Sequence, residues 1–192
     1  MSSPPTPRLT PIPAEQMTAD QRRVAEAISA GPRKGLRGPF NAWLRSPELA
    51  DRLQRVGEFI RFHSSLDARL NELAILMTAA HWSSPYEWYA HYPLALKAGL
   101  RAEIADAIGR GERPVGMHAD EEIIWEFCTQ LRARRNVDDK TYAAAVAAFG
   151  EVGVVDLIGA NGYYDTVSMT LNVAEIRAPE DAGVPFKPPK KW

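Results

Sequence analysis

The stretch LDARLNELAILMTAAHW, Leu66 to Trp82, decides how this chain folds. Leu66, Leu70, Leu73, Ala74, Met77 and His81 recur at spacings of three and four, which makes one helical stripe. Ile75, Leu76 and Ala79 fall on the other side, so the helix is apolar nearly all round. Such a helix has no solvent face and belongs at the centre of a bundle, with neighbours about it. One residue breaks the pattern. Glu72 shares the face of Ile75, Leu76 and Ala79, and a carboxylate among apolar neighbours must be paired, hydrogen-bonded or protonated.

Upstream, Ser46-Pro47-Glu48 opens a helix with Ser at the N-cap, Pro at the first position and an acid in the first turn. Its spacing predicts that Leu49, Leu53, Val56 and Ile60 are buried. Thr18 to Gln21 forms a capping box for an earlier helix that ends near Ala30, before Gly31-Pro32. The segment GPRKGLRGPF (31–40) reads as loop, and Phe40, Trp43 and Leu44 as a turn carried to the core. Downstream, a helix runs from Ser84 to Ala98, with Gly99 supplying a left-handed stop. Helical segments follow at 101–110, 119–134, 138–149 and 152–176. No alternating strand pattern exceeds four residues, so the expected fold is all-α. One helical domain (14–177) is expected between a proline-rich arm (1–13) and a proline- and lysine-rich tail (178–192).

The 192 residues are 45% apolar and 24% charged, with net charge −1. These values fit a globular protein and give no electrostatic case for nucleic acid or an anionic membrane. No apolar run approaches the ~18 residues of a membrane span, and MSSPPTPRLTPIP lacks the apolar core of a secretory signal. A single cysteine, Cys128, excludes an intrachain disulfide and fits a reducing, cytoplasmic setting. It sits mid-helix in IIWEFCTQL and reads as core packing.

The chemistry is concentrated in HWSSPYEWYAHYPLALKAG, His81 to Gly99. Ser84-Pro85-Tyr86-Glu87 has the form of a capping box, with Glu87 reaching back to the Ser84 N–H. Trp88, His91, Tyr92, Ala95 and Gly99 share a stripe, which puts His91 on the inward face with Glu87 one turn before it. Glu72 on the preceding helix completes a His/Glu/Glu group. That set could bind a metal, but its spacing matches no HExxH pattern, so no metal and no cofactor is expected. Tyr163, Tyr164, Asp165, Ser168 and Asn172 crowd the last helix with polar groups, either as a subunit interface or as a wall of the same pocket.

The order GPF, SPELA, ELAILMTAAHW, YEWYAHYPLALKAGL, DEEIIWEF and LIGANGYY resembles the carboxymuconolactone decarboxylase family, which shares its fold with alkylhydroperoxidase D. The resemblance covers about Pro39 to Ile176. It implies an all-helical domain that assembles as dimers, trimers or hexamers, with sites at or near subunit contacts. In the peroxidase branch a CxxC precedes the histidine. Carried over, those cysteines fall on Ser84 and Glu87, while Glu72 and His91 fall on the glutamate and histidine of the proton relay. Peroxide reduction by dithiol exchange needs both thiols, and neither is present here.

The function expected is that of a cofactor-free lyase acting on a small carboxylated lactone or carbonyl metabolite. His91, Glu87 and Glu72 are the expected catalytic group. Trp88, His81 and Tyr164 are expected to line the substrate pocket. The alternatives are a non-catalytic oligomer of the same fold and a peroxidase, which the missing CxxC disfavours. A closed pocket beside His91 separates the first reading from a filled, dry core.

Overall fold

The computed structural model describes residues 7–32 and 35–189. The start of the proline-rich arm, two residues of the 31–40 loop and the last three of the basic tail lie outside them. Among the described residues there are eight α-helices, one short 3₁₀ turn and no strand, so the fold is all-α.

Helix α1 spans Ala19–Ala30, α2 Phe40–Trp43, α3 Pro47–Phe62, α4 Ala68–His81, α5 Pro85–Lys97, α6 Ala102–Gly109, α7 Ala119–Arg134 and α8 Asp139–Ala174. The Thr18 capping box forms with Gln21, as the sequence requires. Phe40, Trp43 and Leu44 are buried. Helix α4 is the axis of the bundle: residues Leu70 to Ala79 are all buried, and α5, α6, α7 and α8 pack around it. Its own start is capped by Asp67. Just before it, Ser64 and Ser65 hold Asp156 of α8, both hydroxyls and the Ser65 N–H donating to one carboxylate oxygen.

Helix α3 departs from its expected orientation. Ala50, Gln54, Gly57 and Ile60 face inward, while Leu49 and Val56 are about half exposed, with Phe59 and Phe62 beside them. Both stripes have helical period, so spacing alone does not choose between them. The small residues win because they let α3 lie close against α1, α2 and α8.

The two expected segments at 138–149 and 152–176 are one helix with a kink. Gly150 interrupts it at φ 69° and ψ 172°, a backbone conformation that L side chains rarely adopt. By length and mean hydropathy (1.7) α8 resembles a membrane span. One face of it packs on α4 and α7 and holds the hydrogen-bonded Asp156 and Asn161, while 28% of that apolar stretch is buried.

Candidate functional site

A turn at Trp82–Ser83 reverses the chain between α4 and α5, so the two helices pack side by side. Glu72 and His91 stand at nearly equal remove from that turn and therefore meet. The Glu72 carboxylate lies 2.7 Å from His91 Nδ1, and the Glu87 carboxylate lies 3.1 Å from His91 Nε2. All three residues are buried, with 9% of Glu72, 3% of Glu87 and 5% of His91 exposed. The imidazole is held between two carboxylates, one from each helix.

That arrangement fixes its charge. Burial by itself pushes the histidine down, but Glu72 and then Glu87 outweigh it, and His91 is raised to about 9. At neutral pH it is an imidazolium. The ring of Tyr164 meets it edge-on, with centroids 5.0 Å apart. The Tyr164 hydroxyl is buried and has no hydrogen-bond partner, and burial drives its pKa well above the ordinary tyrosine value.

The expected capping box at Ser84 does not form. The Ser84 N–H already donates to the Ala79 carbonyl at 2.9 Å. Glu87 is turned to His91 instead, and the Ser84 hydroxyl is buried without a partner. Glu87 is thus a member of the cluster and not a cap.

A cavity of about 670 Å³ lies against His91, Glu87 and Tyr164. Glu72 stands behind the ring, outside the lining. The expected pocket residues divide. Tyr164 lines this cavity; Trp88 and His81 do not. Trp88 adjoins Glu87, about 100° round the helix, and packs into the core against Tyr92 and Phe186. His81 sits at the turn itself, exposed, edge-on to Trp82, and lines a different cavity.

Arg37, Arg61, Phe62 and Tyr86, which no sequence pattern marked as site residues, line the cavity too. The Gly38 N–H donates to the Tyr86 hydroxyl at 3.1 Å, which ties the 31–39 loop to α5. Gly38 has φ 59°, and a Cβ there would meet the Tyr86 ring at 3.1 Å, so the close approach requires glycine. Arg37 and the glycines of the 31–40 loop were the available signal. Among the described residues no group of three His, Cys, Asp or Glu side chains is arranged to hold a metal ion.

Residues 47–122, from α3 to the first turn of α7, match the carboxymuconolactone decarboxylase family. Glu72, Glu87 and His91 all lie within the matched segment; Tyr164 and the 31–40 loop lie outside it. No curated protein gives a match.

Proposed function

We propose that the chain is a cofactor-free lyase that removes CO₂ from a small carboxylated lactone or a similar carbonyl acid. The observation that carries this reading is the His91 imidazolium, held between Glu72 and Glu87 at the wall of a cavity large enough for such a molecule. When the C–C bond to the carboxylate breaks, its electron pair passes into the conjugated carbonyl as a dienolate. The carbon must then gain a proton, and the oxygen needs donors.

His91 supplies the proton. Its short bond to Glu72 anchors Nδ1 and sets the ring orientation. The longer bond at Nε2 leads to Glu87, which lines the cavity, so the proton leaves on that side. The unpartnered Tyr164 hydroxyl is free to donate to the dienolate oxygen. Arg37 and Arg61 face the same cavity and would hold the substrate's anionic end.

Carboxylated lactones and β-keto acids, screened for CO₂ release, test the reading. Glu87→Gln and His91→Asn should each lower turnover about 10²-fold or more, and the double variant should be little worse than either single one. Turnover should fall as pH rises past about 9, where His91 loses its proton. Turnover that is indifferent to both substitutions would overturn it. A non-catalytic oligomer is the second reading; the open space beside His91 favours the first. The peroxidase reading lacks its thiols, since Ser84 and Glu87 stand at the CxxC positions.

A further inference from the structure

The cavity at His91 is bordered by two cations that the fold does not use. Arg37 is exposed, Arg61 is half-buried, and both line it. Among the described residues neither makes an ion pair or a hydrogen bond; the Arg61 guanidinium lies over the Phe62 ring, 5.2 Å from its centroid. The lining holds one acid, Glu87, and it is committed to the His91 imidazolium. Three positive groups thus face one negative one, and the space they border favours an anion.

The two arginines act on different tyrosines. Burial, with Glu87 next, drives the Tyr164 hydroxyl well above the ordinary tyrosine value, and the Arg61 charge pulls the other way. Burial also raises Tyr86, where Arg37 is the opposing cation. Both phenols therefore keep their protons at neutral pH. The Tyr86 oxygen accepts from the Gly38 N–H at 3.1 Å, which occupies a lone pair and leaves the hydroxyl proton unused. That proton meets no acceptor among the described residues. Gly38, at φ 59°, adjoins Arg37, so the contact that fixes the phenol also fixes the backbone beside the guanidinium. An unpaired guanidinium and an unclaimed O–H, tied together through Gly38, are donors of the kind a carboxylate takes.

The lyase reading decides which carboxylate. CO₂ departs uncharged, so a cation held against the departing carboxylate is worth less in the transition state than before it, and it slows the step. Tyr164 meets His91 edge-on, and the Arg61 charge that reaches it serves the oxygen on which the electron pair collects. Arg37 then serves a group that keeps its charge throughout. We propose that Arg37 and the Tyr86 hydroxyl bind a second carboxylate of the substrate, one that the reaction does not remove, so that the site selects a diacid over a monoacid. The proposal rests on the lyase reading for which carboxylate departs; the binding of the other does not depend on turnover. Arg37 precedes residues 47–122, so this specificity belongs to the 31–40 loop and not to the segment that matches the family.

Isophthalate is the probe, a rigid diacid without a ketone or lactone carbonyl to take up an electron pair. Its counterpart is 3-carbamoylbenzoate, which keeps the shape and one carboxylate. Calorimetric titration of the full chain should show isophthalate bound at least about tenfold more tightly than 3-carbamoylbenzoate. Arg37→Gln should weaken isophthalate about tenfold or more, Tyr86→Phe should act in the same direction, and Arg37→Lys should keep part of the binding. Arg37 is exposed and makes no hydrogen bond, so its replacement disturbs no polar contact of the fold. With any diacid that the CO₂ screen yields, the cost of Arg37→Gln should fall on KM and that of Arg61→Gln on kcat. Isophthalate bound no more tightly than 3-carbamoylbenzoate, or not at all, or bound by Arg37→Gln as by wild type, would overturn the proposal and leave the lyase reading standing. Isophthalate binding that depends on Arg37, with no CO₂ released from any acid, would retain the carboxylate subsite and overturn the lyase reading.

Discussion

Raising the pH from 6.5 to 9 should unload the ion cluster at His91 and weaken the fold by a calculable amount. A histidine in an unfolded chain titrates near 6.5, whereas His91 keeps its proton to about 9. Between those values the folded protein binds a proton that the unfolded chain has lost. The contribution is therefore complete below about 6.5 and is lost as the pH climbs through 9. At about 1.4 kcal/mol per pH unit, the interval amounts to ~3 kcal/mol, a large part of the stability of an ordinary domain. Urea unfolding at closely spaced pH values measures it. Glu87→Gln removes one of the two carboxylates and should cut the pH-dependent loss to roughly half. Glu72→Gln should cut it further, because Glu72 exerts the stronger pull on the imidazolium. The difference between wild type and these variants cancels the titration of other groups. Long-range ¹H–¹⁵N spectra of the imidazole should show both nitrogens protonated at pH 7.5. A His91 that titrates near 6.5, or a wild-type stability flat across this interval, would refute the reasoning.

The Cys128 thiol is fully buried, and burial pushes its pKa up; a disulfide reagent such as DTNB should therefore react with it in urea but not in the native protein. Cys128→Ser should cost less than ~2 kcal/mol, because Asn161, whose amide donates to Sγ at 3.4 Å, can serve the hydroxyl as well, and it should leave the proposed turnover intact. Arg69→Ala should lower the unfolding free energy by about 3 kcal/mol, since Arg69 pairs at 2.6 Å with Glu121, a carboxylate that is 0% exposed. Leu49, Val56, Phe59 and Phe62 of α3 and Val152, Val155 and Ile158 of α8 are each exposed, and apolar side chains gathered on a surface are what a subunit contact covers. A homo-oligomer burying more than ~1,000 Å² per contact is the expected result; Phe59→Asp should weaken it, and a wild-type monomer by light scattering at micromolar concentration would refute it.

Helix type and the central place of α4 were legible because they depend on local periodicity and on one segment having no polar face. The Glu72–His91–Glu87 group was legible for a related reason: residues one turn apart share a flank, and a carboxylate on an apolar stripe needs a partner. What the sequence did not disclose was set by distance along the chain. Spacing placed Leu49 and Val56 on a helical face but not which face α3 would bury; Gly57 and Ala50 decided that by allowing close approach. His81 looked like a neighbour of His91 in sequence, and the turn at Trp82–Ser83 placed it beside a different cavity instead. Arg37 and Arg61 reach the His91 cavity from elements that precede α4, and no local pattern links them to α5.

The unformed box at Ser84 constrains what can replace His91. Glu87 is the right residue at the right offset for a helix start, yet it is committed to His91, and a buried serine hydroxyl goes unmatched. An apolar residue at position 91 would not repair that terminus, because the Ser84 N–H already donates to the Ala79 carbonyl. It would leave Glu72 and Glu87 as two buried carboxylates without a counter-charge. Selection for the fold alone therefore keeps a cation at position 91 for as long as both glutamates remain.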